Sequence, residues 1–376
     1  MDSAEREGLR PKGNVPNLRF PEFQGEWEKS TLDKVCVFHN GRAYKQNELL
    51  QSGKYRVLRV GNFFTNDSWY YSNLELEEEK IAVRGDLLYA WSASFGPRFW
   101  HEEKVIYHYH IWKVDSFQNV TKSYLYYYLE KDATKIKNEV QGGTMVHITK
   151  GDMEKRAITY PCIEEQKKIA KLLSILDERI ATQNKIIDKL QSLIKGISNK
   201  IFESLQGQEC RLGDIATITN GNSNVQDAVT EYRDDLYPFF DRSEEIKYLP
   251  TFLFDKEAII YPGEGADFFP RYINGKFALH QRCYAIFDFN KAVNPQFLYC
   301  FLKTQNSYFI RNAVGSTVPS LRLDTFQKLK VIVPSKKTQS IVSSLLFTLE
   351  KKHNSEKMLL QTLLKQKQYL LRQMFI

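Results

Sequence analysis

The sequence predicts an α+β protein built twice over, with two globular bodies separated by two long coiled-coil helices. Three observations carry this. First, the chain of 376 residues repeats itself. Pro161-(x4)-Gln166-(x2)-Ile169-(x2)-Leu172-Leu173-(x2)-Leu176-Asp177 falls on Pro334-(x4)-Gln339-(x2)-Val342-(x2)-Leu345-Leu346-(x2)-Leu349-Glu350, 173 residues on (334 − 161), and the register holds to Ile201-Phe202 and Met374-Phe375. Leu32, Val35, Asn40 and Gly41 likewise fall on Leu212, Ile215, Asn220 and Gly221, 180 residues on (221 − 41). So long a period is that of a whole domain with a trailing helix, not of a solenoid unit. Second, residues 164–202 and 337–376 space their apolar side chains alternately by four and three, the signature of a helical seam. Third, the stretches between these helices hold short β-branched and aromatic runs bounded by turn residues.

The elements follow in chain order. Residues 1–19 read as an N-terminal leader: Met1–Asn14 is polar and charged, unlike a signal peptide, and Val15-Pro16-Asn17-Leu18-Arg19-Phe20-Pro21 is too rich in proline for helix or central strand. The first body spans 20–162. Its expected strands are Arg56–Val60, Asp86–Ala90 and Val105–Trp112, and Ser123–Lys137 reads as a helix with Tyr124, Leu125, Tyr128 and Leu129 on one face. The first spacer helix, 163–206, has one row of Leu173, Ile180, Ile187, Ile194 and Ile201 and another of Ile169, Leu176, Gln183, Leu190 and Ile197. The second body, 207–335, repeats the plan with strands at Ala258–Tyr261 and Phe277–Phe287 and a helix from Pro295 to Leu302 capped by Asn294. The second spacer helix, 336–376, continues the seam through Val342, Leu346, Leu349, His353, Glu356, Leu360, Leu363, Lys367, Leu370 and Met374. Each helix runs about 40 residues, or roughly 60 Å, longer than one small domain needs. If the pair is antiparallel, the segment centres coincide and Gln183 meets His353 and Glu356 in a polar layer that fixes register.

Composition narrows the function. The chain is 42% hydrophobic and 26% charged, ordinary for a soluble globular protein, and its net charge of +8 favours a polyanionic partner. The cysteine count is odd (Cys36, Cys162, Cys210, Cys283 and Cys300) and no C-x-x-C occurs, so the expectation is a reducing cytoplasm with neither a disulfide framework nor a zinc site. No apolar run is long enough for a membrane span.

Signals for catalysis are weak. Asn294-Pro295-Gln296-Phe297 resembles the Asn-Pro-Pro-Phe/Tyr pocket of amino-methyltransferases, but its third residue is Gln, its counterpart Lys122-Ser123-Tyr124-Leu125 keeps none of it, and a helix start explains Asn-Pro. Gly263-Glu264-Gly265 lacks a third glycine, no G-x-x-x-x-G-K-[ST] occurs, and a strand-end turn accounts for the pair. His108 and His110 are read as sharing one strand face, without further ligands for a metal. The polar loops are more suggestive. Asn40–Lys45, Trp91–Arg98 and Gly142–His147 match Asn220–Ser223, Gly263–Arg271 and Gly315–Ser320. Arg, Lys, Asn, Gln and His can read base edges, while Gly, Ser and Thr let backbone approach phosphates. The DNA-facing candidates are Arg42, Lys45, Arg98, His108, His110 and Thr144 in the first body and Asn222, Arg242, Arg271, Gln281, Arg282 and Thr317 in the second. For any one of them a solvated loop is the competing explanation.

At this point the chain resembles the specificity subunits of bacterial type I restriction–modification systems. The resemblance rests on the opening Val15-Pro16-x-Leu18-Arg19-Phe20-Pro21-x-Phe23-(x3)-Trp27 and on a variable body followed, twice, by the Pro-x4-Gln helix. It covers Val15 to Ile376. It implies two target-recognition domains held apart by an antiparallel helix pair, each reading half of a split duplex site. It also implies that the helices act as a ruler and dock two methylation subunits, with restriction subunits completing an endonuclease. S-adenosylmethionine would bind the methylation subunits, ATP and Mg2+ the restriction subunits, and no cofactor this chain. Two other classes compete. A methyltransferase or nuclease with its own site would need a cofactor loop, and a duplicated protein-interaction scaffold would bind DNA not at all.

Overall fold

The computed structural model describes residues 13–64, 66–92, 95–139 and 148–376. The chain divides into two compact units: one runs to Thr182 and takes in Leu360–Ile376, the other is Gln183–Leu359.

The first unit holds β1 (Glu28–Thr31), α1 (Leu32–Val35), β2 (Val37–Asn40), β3 (Tyr55–Leu58), α2 (Val60–Phe64), β4 (Tyr70–Ser72), β5 (Ile81–Ala82), β6 (Leu87–Ala90), β7 (Gly96–Phe99), β8 (Val105–Tyr107) and β9 (Ile111–Asp115). Then come α3 (Lys122–Glu139), α4 (Lys150–Glu154), β10 (Ala157–Tyr160) and the start of α5 (Ile163–Ser204). The strands form two four-stranded sheets, β2-β9-β6-β7 and β4-β3-β8-β5, and an antiparallel pair β1-β10. The second unit holds β11 (Gln208–Arg211), α6 (Leu212–Ile215), β12 (Thr217–Asn220), β13 (Tyr237–Phe240), β14 (Lys247–Leu249), β15 (Phe254–Pro262), β16 (Arg271–Leu279) and β17 (Cys283–Phe287). It continues with α7 (Pro295–Lys303), α8 (Asn306–Asn312), α9 (Leu323–Gln327), β18 (Lys330–Val333) and α10 (Lys336–Gln373), whose end belongs to the first unit. Here one six-stranded sheet runs β12-β17-β15-β16-β13-β14. The topologies are the same. The nine-residue strands β15 and β16 do the work of two strands each in the first unit, so two sheets there become one here.

Two expectations needed correction. Val105–Trp112 is not one strand: the chain turns at Tyr109-His110 between β8 and β9, and His108 and His110 therefore lie in a turn rather than on a strand face. Phe277–Phe287 breaks in the same way at Gln281-Arg282. Neither run contains Gly or Pro; each reversal is closed by a local bond, Ile111 N–H to His108 O and Cys283 N–H to His280 O (2.9 Å each), and is held by pairing with other segments. Gly41 N–H donates to Ile111 O, Arg42 N–H to Tyr107 O and His108 N–H to Leu58 O, which fixes both arms of the turn by pairing with other segments. The end of the expected leader is tied to the fold. Leu18 N–H donates to Gln373 O, and Arg19 forms a bidentate pair with the fully buried Glu165, at 2.9 and 2.8 Å.

The repeated Pro-x4-Gln motif has a physical reason. Gln166 is wholly buried at the start of α5; its Oε1 accepts from Thr121 N–H (2.7 Å) and its Nε2 donates to Asn119 O (2.8 Å) and Pro161 O (2.9 Å). Gln339, also wholly buried, accepts from Asn294 N–H (2.7 Å) and donates to Ala292 O and Pro334 O (both 2.9 Å). Each glutamine thus ties a spacer helix to the residue that caps the body's own helix, α3 or α7. Of the partners, the buried carbonyls of Pro161 and Pro334 are the ones for which loss of the bond would cost most.

Within each unit the two long helices run antiparallel, as the pairs Asp177–Lys367 in the first and Gln183–Glu356 in the second record. The seam residues are the covered ones: Leu173, Leu176, Gln183, Ile187, Leu346 and Leu363 are buried and Ile180, Leu349, Glu356 and Leu360 half-buried, while Ile175, Ile186, Leu193 and Leu345 beside them are exposed. Gln183 Nε2 donates to Glu356 Oε2 (2.5 Å) and to Glu356 O (3.1 Å), while Nε2 of His353, the third residue expected in this layer, is buried without a hydrogen-bond partner among the described residues. Lys367, a polar break in the seam pattern, meets Glu130 and Asp177 at 2.7 Å each. Each helix ends on an aromatic of the body beside it: Phe375 packs on Tyr124 of α3 (5.1 Å between rings) and Phe202 on Phe297 of α7 (5.6 Å).

Candidate nucleic-acid interface

Two loop clusters stand at the equivalent end of each body. In the first, Arg42 pairs with His108 in a parallel bridge, Tyr109 N–H donates to Arg42 O (3.0 Å) and Trp91 N–H to His110 O (3.1 Å). In the second, Ser223 pairs with His280 in a parallel bridge, Gln281 N–H donates to Ser223 O (3.2 Å), Leu321 N–H to Gly263 O (2.8 Å) and Gly265 N–H to Pro319 O (3.1 Å). The shared hydrogen bonds set the equivalences. His108-Tyr109-His110 corresponds to His280-Gln281-Arg282, and Arg42 corresponds to Ser223. Aligning on Asn-Gly places Arg42 on Asn222 instead, so the second loop carries one extra residue. Thr121 rather than Lys122 is the counterpart of Asn294, since each caps its helix.

The first cluster is aromatic. Trp91 stacks on Trp112 (5.7 Å) and donates from Nε1 to Tyr109 O (2.7 Å), and His110 lies edge-on to Trp91 (5.0 Å). The His108 and His110 rings are 4.9 Å apart, and Tyr44 stacks on His108 at 6.3 Å. Burial, together with the charges of His110 and Arg59, pushes the His108 imidazole down to about 4, so it is neutral at physiological pH. Arg42 is half-buried and its guanidinium donates to Glu48 (2.6 Å). Lys45 is exposed at the start of the turn that Glu48 closes. Arg98 sits on β7, beside Phe63 and in a cleft with Tyr126 and Glu130. Thr144 lies outside the described residues.

The second cluster is polar. A cleft of about 530 Å³ gathers Arg242, Gln281 and Arg282 with His280, Asp241 and Glu264. Arg282 is exposed and bonds Glu264 at 2.7 Å. Buried Asp241 is held by Lys247 (2.7 Å) and Ser243 (2.5 Å). Arg271 has another task than the sequence suggests. It is half-buried over Phe240, its charge is disfavoured by burial, and it donates to Ser243 O (2.9 Å) and Asp241 O (2.5 Å), pinning the loop from behind. Asn222 and Thr317 are exposed on the loops flanking the cleft. His280, the counterpart of His108, was not singled out from sequence, since its position emerges only once the turns are superposed.

Two stretches that suggest other chemistry have structural tasks. Asn294 Oδ1 accepts from Gln296 N–H (2.9 Å) and Phe297 N–H (3.3 Å), so Asn-Pro-Gln-Phe is a helix cap. Gly263 O accepts from Leu321 N–H and Gly265 N–H donates to Pro319 O, so this pair of glycines sits in a strand-end turn bonded to residues 319–321. Among the described residues no cluster of three or more His, Cys, Asp or Glu could hold a metal, and no helix is long and apolar enough to cross a membrane.

Comparison with known proteins bears on this arrangement directly. The family model of the type I restriction modification DNA specificity domain matches twice, over residues 24–192 and 207–365. The EcoDI specificity subunit of Escherichia coli is 30% identical over 138 residues, covering 37% of this chain and 30% of that protein. The MjaVIII specificity subunit of Methanocaldococcus jannaschii is 32% identical over 189 residues, covering 49% of this chain and 43% of that protein. The chain thus spans less than half the length of these two curated relatives. The crystal structure of a type I restriction-modification system S subunit from M. genitalium shares the fold at a TM-score of 0.65 and 19% identity, covering 96% of this chain and 99% of that one. With both bodies and most of both helices inside the family model, the chain belongs to the family of type I restriction–modification specificity subunits.

Proposed function

We propose that this chain is the non-catalytic DNA-specificity subunit of a type I restriction–modification complex. Each body reads one half of a bipartite duplex site, with base edges giving sequence and phosphates giving register. The paired helices set the spacing between the half-sites and dock two methylation subunits, and restriction subunits complete the endonuclease. S-adenosylmethionine, ATP and Mg2+ belong to those partners, and the complex acts in the cytoplasm. One observation carries the reading: a common frame presents unlike side chains at equivalent positions, His108-Tyr109-His110 in one body and His280-Gln281-Arg282 in the other. Two unlike heads imply an asymmetric site. The net charge of +8 supports a polyanionic partner.

The test is base-resolution mapping of adenine methylation in a methylation-deficient host that expresses this chain with a cognate methylation subunit. The expected result is a split, asymmetric motif that vanishes when this chain is omitted. A stable complex with an active methylation subunit and no motif would leave a protein-interaction scaffold as the better description.

A further inference from the structure

Around His108 the first body gathers polar groups that its own fold does not satisfy. Arg42 Nε, Tyr44 Oη and Arg59 Nε are all buried atoms without a hydrogen-bond partner among the described residues. They belong to one cluster. Arg42 bridges to His108 through the main chain and lies 5.9 Å from the Tyr44 ring; Tyr44 stacks on His108; and Arg59 follows Leu58, whose carbonyl accepts His108 N–H. Arg59 is steadied by the Tyr70 ring at 4.3 Å, and the far end of Arg42 by Glu48 at 2.6 Å. Both guanidinium groups are therefore held in place before any ligand arrives.

Leaving three buried polar atoms unpaired costs about 1–3 kcal/mol each, so such a cluster calls for a ligand that completes it. Arg Nε–H can only donate, and a phenol donates readily; the ligand must bring acceptors. The second body makes the contrast. Its matching hydrogen bonds place Ser223, Val225 and Asp241 around His280 where the first has Arg42, Tyr44 and Arg59, and Asp241 is already satisfied by Lys247 and Ser243. The donor set is thus particular to one head.

We propose that Arg42, Tyr44 and Arg59, grouped around His108, form the base-reading pocket of the first body and donate to the acceptor edge of a guanine. The inference rests on the DNA-recognition reading and sharpens it. Guanine offers O6 and N7 in the major groove, the acceptor pair that arginine matches. A backbone phosphate offers acceptors too, but the Glu48 carboxylate on Arg42 opposes a second anion there.

The test uses the full chain assembled with its methylation subunit, and duplex oligonucleotides carrying the mapped site with each single base change in the first half-site. For Arg59→Gln and Tyr44→Phe, affinity for the mapped site should fall about 10- to 100-fold, with loss of the preference for guanine at one position. The second half-site should be read as before, which also controls for folding and assembly. Arg59→Lys, which keeps the charge and loses the fork, should not restore the preference. A loss equal for all sequences, restored by lysine and with a shallower salt dependence, would assign the donors to a phosphate oxygen instead. Unchanged affinity and preference in both variants would overturn the pocket. Absence of any split motif from the unaltered complex would overturn the DNA-recognition reading, and the pocket with it.

Discussion

Replacement of Gln339 by alanine tests the idea that one buried amide joins each body to its helix. Gln339 is fully buried and makes three hydrogen bonds, to Asn294 N–H, Ala292 O and Pro334 O. Each such bond contributes about 1 kcal/mol net, so alanine should cost about 3 kcal/mol, and more where the freed groups stay dry. For a unit of this size that corresponds to a fall of about 6–12 °C in Tm. Glutamate is the sharper probe. It is nearly isosteric and can still accept from Asn294 N–H, but as a carboxylate it sets a negative charge against two carbonyl oxygens. Its folded pKa should therefore be raised. Stability tied to such a group is present below the unfolded carboxylate value and is lost as pH rises through the folded value. Gln339→Glu should accordingly be less stable than Gln339→Ala at pH 7 and recover on acidification, whereas Gln339→Ala should show no such recovery. Gln166→Glu should behave alike in the first unit. Calorimetric scans of the full chain between pH 4 and 8 would measure this. Shifts under about 1 °C, or a glutamate variant whose deficit does not depend on pH, would refute the argument.

Three further outcomes follow from the same reasoning. Gln183→Leu should stabilise the second unit by about 1 kcal/mol, because Glu356 keeps Lys352 at 2.5 Å as a partner and the seam gains an apolar residue; destabilisation in urea titration would contradict this. Lys367→Met should cost about 2–3 kcal/mol by leaving Glu130 and Asp177 facing each other without a cation, a figure held below the fully buried case because both carboxylates are partly exposed. Burial already raises Glu130, and loss of Lys367 raises it further, so this deficit should shrink as pH falls from 7 toward 4.5; a deficit constant with pH would count against it. His108→Asn should flatten the stability of the first unit between pH 6.5 and about 4, where the half-buried imidazole of the natural chain opposes protonation and stability falls as pH falls; parallel pH profiles for the two proteins would exclude that role.

Much of the frame could be read from residues because it rests on periodic or repeated side chains. The four-three spacing of Leu173, Leu176, Ile180 and Gln183 marks a covered stripe whatever lies opposite. Pro-x4-Gln recurs because the clamp needs that spacing. Reading the heads was harder. Val105–Trp112 is a continuous β-forming run, and its turn at Tyr109-His110, closed by Ile111 N–H to His108 O, is held by pairing with the main chain of residues 41, 42, 58 and 91. Tyr44 and Arg59 looked like a loop aromatic and a strand end, because nothing local shows that they converge on His108. Arg271 looked available, yet its guanidinium is spent on carbonyls 28 and 30 positions away in the chain. Residues that act through distant partners leave no local trace.

The glutamine clamp also bears on how such a protein could change its target. All six partners of Gln166 and Gln339 are main-chain atoms, which every body of this topology supplies whatever its side chains. The socket is blind to the identity of what it holds. A gene could therefore exchange the segment for either body with that of a relative, with crossovers inside the repeated helix codons, and the foreign piece would keep the clamp, leaving only side-chain contacts such as Phe375 with Tyr124 and Phe202 with Phe297 to be matched. New specificities would arise by shuffling whole cassettes rather than by passing through point mutants that bind nothing.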